Sequence, residues 1–379
     1  MSGFFTFTNL LSGKYDRGSR VWTRRQALWL ITGLTGSLAL HACTQQTETE
    51  TSFSLNSADQ QPQTSADRPT ETASQKTVSA TMGTTLWIGY SPLYIALEKG
   101  FFEEEGLNLK YQDFNSNTDV IAAFTRGSLD GHGLVTSEAV LLADKGVDYR
   151  IIMAADNSLG GDGILARNSI ADIKDFKGKK IAVEVGGVSH FFLLQVLKEA
   201  GLSGNDVKIT NVSADAAATA YQTGETDIAV TYSPFLENAN QAQKDGRVIY
   251  DTSKMPTAIV DLYLFSKDFT EANPQATNAF VQGVLKGLKF LQTNRNEALA
   301  LLGKRLKIKP EEVEDQLKGV RLIDLPTNLE MLGEPQSDIY LLKNMKDMAQ
   351  LLKEQKQLLT SETDYSKFIE PKFVKEVQI

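Results

Sequence analysis

From Leu86 onward, short runs rich in β-branched and aromatic residues alternate with stretches whose apolar residues recur at helical spacing. Such a chain has little choice but an α/β fold with a largely parallel sheet. Strands are expected over Leu86–Tyr90, Leu107–Phe114, Gly131–Val135 and Tyr149–Ala155, with helices over Pro92–Glu104, Asp119–Arg126 and Glu138–Lys145 between them. After the turn-rich segment Asn157–Gly163 the grammar repeats. Strands are expected at Lys180–Val185, Val207–Val212 and Ile228–Tyr232, and helices at Ser189–Ala200 and Asp215–Thr223. One more extended run, Ile259–Phe265, precedes a region from Pro274 to about Lys356 that reads as almost entirely helical. A helical tail makes no sheet of its own, so it is expected to pack back on the first unit. That requires two crossings between units, placed near Gly163–Arg167 and Ala258–Ser266, and hence a hinge.

The residues before this region read differently. Lys14, Arg17, Arg20, Arg24 and Arg25 form a basic segment, Ala27–Leu40 an apolar one, and the lone cysteine follows in Leu40-His41-Ala42-Cys43. That order is the one a secretory signal requires, and the apolar run is shorter than the about 20 residues of a membrane-spanning helix. Cys43 resembles the lipidated residue of a bacterial lipobox, and Thr23-Arg24-Arg25 resembles the core of a twin-arginine export signal. The expectation is an exported chain on the periplasmic side of the membrane, anchored by lipid at Cys43. Residues 44–84, rich in Thr, Gln, Ser and acidic residues, bury too little to offset chain entropy and read as a disordered tether.

Charge narrows the partners. The chain carries −8 in total, and residues 1–42 hold five Lys/Arg against one Asp, which leaves −12 on the rest. An acidic body disfavours nucleic acid and anionic headgroups as partners. With Cys43 used for lipid, no thiol remains for a disulfide, a metal or a nucleophile.

Ligands of open α/β sheets bind beyond the carboxyl ends of the strands. Five corners occupy such positions: Tyr90-Ser91-Pro92, residues 115–118 with Asn117 and Thr118, Thr136-Ser137-Glu138, Gly186-Gly187-Val188-Ser189-His190, and Tyr232-Ser233-Pro234. Each is also explained by helix capping alone. Together they would present free backbone N–H groups to one cleft, a ready site for sulfonate, carboxylate or nitrate, and Gly186 and Gly187 would allow close backbone approach. Against a simple anion, basic residues are scarce at the corners, whereas Glu138, Asp156, Asp162, Glu184 and Asp261 lie at or near strand ends. This favours a ligand with a donor or cationic end. Tyr90, Tyr232 and His190 could wall an organic ligand, whereas Tyr94 reads as core. His132 and His190 lack metal-ligand spacing, and no acid partner or oxyanion pattern accompanies Ser189 and His190. No catalytic residue, cofactor or metal is expected.

Residues 89–96 (Gly89-Tyr90-Ser91-Pro92-Leu93-Tyr94-Ile95-Ala96), then Gly100-Phe101-Phe102, Glu105-Gly106-Leu107 and residues 124–130, resemble the opening of the nitrate/sulfonate/taurine type of periplasmic solute-binding protein of ABC importers. The resemblance continues through residues 160–164, 176–183 and 226–235 and spans roughly residues 85–265. It implies a two-lobed type II periplasmic-binding-protein fold with hinge crossings and a helical C-terminal region packed on the first lobe. The implied division is 1–43 signal and lipobox, 44–84 tether, 85–162 plus 264–379 lobe 1, and 163–263 lobe 2. The implied function is capture, by a monomer without catalysis, of a small solute that is delivered to an ABC permease. A sulfonate or taurine-like molecule, or another small nitrogen-containing organic solute, leads; nitrate, bicarbonate, a pyrimidine precursor or a sensing role beside a membrane kinase are alternatives. The expected ligand-binding set is Tyr90, Ser91, Asn117, Thr118, Ser137, Glu138, Asp162, Gly187, Ser189, His190, Tyr232 and Asp261.

Overall fold

The computed structural model describes residues 77–358 and 363–377; the signal, Cys43 and the tether up to residue 76 lie outside the described residues. Eleven strands form two sheets. The first holds β1 (Val78–Thr85), β2 (Leu107–Phe114), β3 (Gly131–Val135), β4 (Tyr149–Ser158), β10 (Val260–Ser266) and β11 (Val320–Leu322), in the order β11-β4-β10-β3-β1-β2. The second holds β5 (Asp162–Arg167), β6 (Lys180–Val183), β7 (Lys208–Asn211), β8 (Ile228–Tyr232) and β9 (Gly246–Asp251), in the order β7-β6-β8-β5-β9.

Both sheets are mixed rather than largely parallel. In the first, β1 runs parallel to β2 and β3, but β10 is antiparallel to β3 and β4, and β11 to β4. In the second, β6 is parallel to β7 and β8, while β5 is antiparallel to β8 and β9. The reversal follows from the crossings. The chain leaves the first sheet between Ser158 and Asp162 and returns between Asp251 and Val260, so each crossing feeds a strand into its sheet with reversed sense. The crossings therefore lie upstream of Gly163–Arg167 and largely upstream of Ala258–Ser266, where the sequence places them.

Four further differences have local causes. The sequence extends the tether to Thr84, yet Val78–Thr85 is strand β1; Ala80, Met82 and Thr84 are buried at period 2, a pattern masked by small polar residues. Leu86–Tyr90 is not a strand, since Ile88–Tyr90 forms a 3₁₀ turn. The helix expected over Pro92–Glu104 breaks into Ser91–Lys99 and Phe101–Glu104 at Gly100, whose φ of 73° is the left-handed cap that glycine adopts most readily. β11, three residues long, was hidden in a helical stretch.

The C-terminal helices pack on the first sheet's side. Helix Pro274–Thr293 lies against Ser91–Lys99 and Phe101–Glu104. Its Phe280 is fully buried, stacks on Phe102 at 5.4 Å and meets Tyr263 and Phe265 of β10 edge-on at 5.3 and 5.2 Å. Among the described residues no helix is long and apolar enough to cross a membrane.

Phe280→Ala would open a cavity at this junction. The expected cost is about 3–5 kcal/mol, read as a lower midpoint in urea unfolding; a change under about 1 kcal/mol would show that the tail does not seal this sheet.

Candidate functional site

Two of the reversed strands, β10 and β5, shape the site. Because β10 enters beside β3 with opposite sense, its first residues stand at the carboxyl end of β3, with Asp261 paired to Val135. In the second sheet Asp162, the first residue of β5, pairs with Tyr232, the last of β8. Each sheet thus brings a carboxylate to its rim from a strand running the other way. The two rims meet at one crevice, lined by Thr85, Trp87, Tyr90, Asn117, Leu134, Val135, Glu138 and Asp261 with Ile259 from the first sheet's side, and by Asp162, Val188 and Tyr232 from the second's. The free space between them is about 20 Å³, close to what a single water needs. A larger solute must enter with the rims parted. A wider depression of about 620 Å³ lies elsewhere, between the crossing segment near Met255 and helix Leu341–Glu354.

The crevice is acidic to an unusual degree. Asp156, Glu138, Asp162, Glu184 and Asp261 are each at most 4% exposed, and none of them forms an ion pair among the described residues. Asp156 and Asp261 are cross-strand partners in β4 and β10, a like-charged pairing that costs stability when both ionise. Neutral donors offset part of this. Trp87 Nε1 donates to both oxygens of Asp156 at 3.2 and 3.1 Å, and the Tyr90 hydroxyl donates to Asp261 at 2.8 Å. Gly89 permits the first contact, since a Cβ there would stand 2.1 Å from Asp156 Oδ2 and 2.3 Å from Trp87 Nε1.

Burial governs the proton affinities. Loss of water pushes Glu138 up to about 8, with the charges of Glu184 and Asp162 adding to the rise. Burial likewise raises Asp162 to about 7, Glu237 contributing by repulsion. Asp156 and Asp261 shift upward together, burial being the larger cause for each. Glu184 rises too, also by burial, although bonds from Thr118 and Asn117 pull it back.

Two of the helix starts that an anion would need are already engaged. Thr118 N donates to Glu184 Oε1 at 3.0 Å and Asn117 Nδ2 to Glu184 Oε2 at 3.4 Å, a tie from the first sheet's side to the second's. Val135 N donates to Glu138 Oε2 at 3.2 Å. The expectation of free amides facing the cleft is corrected at these corners, because the protein's own carboxylates occupy them. The cap of helix Asn117–Thr125 is Ser116, whose hydroxyl accepts from Asp119 N, so Asn117 and Thr118 are not spent on capping.

Of the twelve residues expected from sequence, Tyr90, Asn117, Glu138, Asp162, Tyr232 and Asp261 are brought together on the crevice wall. The other six stand behind it. Ser91 Oγ donates to Ile88 O, Thr118 holds Glu184, and Ser137 is buried one residue before Glu138. Gly187 allows Asn117 and Glu184 to approach, a Cβ there meeting both at 3.3 Å. Ser189 Oγ is buried without a hydrogen-bond partner, and His190 Nδ1 accepts from Gly186 N at 3.4 Å. His132 is fully buried beside Gly83 O, and burial pushes it down to about 3. Tyr94 packs in the core, edge-on to Tyr111. Sequence reading missed Trp87, which meets Tyr232 edge-on at 5.9 Å and so joins the two walls; its place after β1 became legible only once β1 was known.

Groups held above their unfolded values keep protons that the unfolded chain releases, so their contribution to stability is full below about pH 4 and is lost as pH rises toward about 8. Glu138→Gln removes one such group. The variant is expected to lose less stability than the parent between about pH 5 and about pH 8, measured by urea midpoints at both values; equal losses would show that Glu138 titrates normally.

A sequence profile described as "NMT1/THI5 like" matches residues 87–298. The chain is 25% identical over 285 residues to the taurine-binding periplasmic protein of Escherichia coli (strain K12), covering 72% of this chain and 86% of that one. It is 29% identical over 240 residues to a Bacillus subtilis (strain 168) protein named for binding aliphatic sulfonates, covering 60% and 70%. Among solved structures, the alkanesulfonate-binding protein SsuA from Xanthomonas axonopodis pv. citri superposes with a TM-score of 0.66 at 19% identity, over 78% of this chain and all but 1% of that one, which covers 99%. The periplasmic nitrate-binding protein NrtA from Synechocystis PCC 6803 gives 0.60 at 18%, covering 80% and 86%. The desulfurization enzyme DSZB gives 0.56 at 15%, covering 78% and 98%. At such identities the structural likenesses show the fold alone, the generic periplasmic-binding-protein architecture, which carries both receptors and an enzyme.

Proposed function

This chain belongs to the NMT1/THI5-like family, and on that premise we propose that it is a solute receptor without catalysis that takes a small nitrogen-containing molecule, taurine-like or otherwise, into the crevice. The two sheets with their helices act as two lobes, joined by the crossings at residues 158–162 and 251–260. Solute enters with the rims parted, the lobes close over it, and the closed form delivers it to an ABC permease. The observation that carries this reading is the shared wall: Glu138 and Asp261 from one rim and Asp162 and Tyr232 from the other border the same 20 Å³. A ligand touching both sides gains affinity only when they are together, which is what shifts the population toward closure. Relatives named for periplasmic binding of taurine and aliphatic sulfonates support the class. The chain acts as a monomer on the periplasmic side of the membrane, tethered through Cys43 after export, with the twin-arginine pathway as the route.

Two measurements check this. A true solute raises the melting temperature of the full chain with concentration, and Tyr232→Ala or Asp162→Asn is expected to abolish the rise while leaving unfolding cooperative; unchanged binding in both variants would remove the crevice as the site. For the anchor, Cys43→Ser is expected to move the protein from the membrane to the soluble fraction of the cell envelope, and continued retention would rule out lipid at that residue.

A further inference from the structure

Resting on the receptor reading above, we infer that the solute is a compact organic cation bearing N–H donors, such as an amidinium, guanidinium or primary ammonium group, and carrying no acidic group. Three observations converge. First, among the described residues no Lys, Arg or His lines the crevice, whereas Glu138, Asp162 and Asp261 do. Second, Glu138 Oε1 is buried with no hydrogen-bond partner at normal geometry, the Val188 amide standing only near enough to favour its charged form, which leaves an acceptor on the crevice wall for a donor to satisfy. Third, the amides of Thr118 and Val135, at or just before helix starts where an anion would bind, are taken by Glu184 and Glu138. At those two corners a sulfonate or nitrate would have to displace a carboxylate of the chain and then sit among the remainder.

The walls suit a delocalised or alkylated cation. Tyr90, Trp87 and Tyr232 border the space, and aromatic faces attract such charge. A bare metal ion fits less well, since among the described residues no group of three His, Cys, Asp or Glu is arranged to hold one. Charge on the ligand would also relieve the crowding of carboxylates that face the site from every neighbouring element: Asp261 and Asp156 on β10 and β4, Glu138 after β3, Asp162 on β5, Glu184 after β6, and Glu237 behind Ser233. Tyr90, Tyr232 and His190 are the other titratable groups nearby, and burial holds the phenols protonated and the imidazole neutral.

The test is calorimetric titration of the full chain with acetamidinium, methylguanidinium and ethylammonium chlorides, against taurine, ethanesulfonate and sodium nitrate. At least one cation is expected to bind at about pH 8 and to bind at least about tenfold more weakly at about pH 5, where it must displace protons. Glu138→Gln and Asp261→Asn are each expected to weaken it about thirtyfold or more; two variants guard against a fold defect in one, and cooperative unfolding verifies both. Binding of ethanesulfonate or nitrate with no cation response overturns the inference while leaving the receptor reading intact. Cation binding that survives both substitutions, or is indifferent to pH, also overturns it. Failure of every solute in the panel up to about 10 mM, where even a weak site would respond, overturns it and counts against the receptor reading as well.

Discussion

Everything in this molecule is arranged around carboxylates that water cannot reach. Removing an ion from water costs several kcal/mol even after relaxation, and here Asp156, Asp162, Asp261 and Glu138 meet without a single countercharge among the described residues. Neutral donors from Trp87 and Tyr90, a backbone amide at Val135 and retained protons offset the cost. None of them removes it. A fold seeking only stability would place apolar residues here.

The geometry that creates the cluster is the reversal of two strands. A purely parallel sheet would show only loops and helix starts at its carboxyl edge. Inserting β10 and β5 backwards brings strand residues to the same edge, and their first polar side chains, Asp261 and Asp162, become rim groups. The same two crossings that reverse the strands connect the two sheets, so one device both builds the rims and joins them. Trp87 and Glu184 then link the walls, one by an aromatic edge and the other by hydrogen bonds to Asn117 and Thr118.

Likeness to sulfonate- and nitrate-binding proteins shows the architecture alone. Here two of the amides that favour an anion, those of Thr118 and Val135, are answered by the chain's own carboxylates. The polarity of the site is therefore decided by a handful of residues at fixed corners, not by the fold.

Much of this was legible in sequence. Period-2 and helical spacing located β2, β3, β6, β7 and β8, and six of the twelve expected site residues do line the crevice. What local pattern could not give were β1, whose small polar residues imitate a tether, β5, which reads as a crossing, β9, to which the sequence reading assigns no element, β11, too short to carry a period, and strand sense, because hydrophobic alternation is the same in either direction. The chain by itself determined an acidic α/β protein with polar corners at its strand ends, since composition and spacing are properties of neighbours along the backbone. Only the tertiary structure decided that Asp156 faces Asp261, that Trp87 reaches Tyr232, and that Glu184 occupies the Thr118 amide, since each depends on residues about 65 to 145 positions apart coming within hydrogen-bond or ring-contact distance.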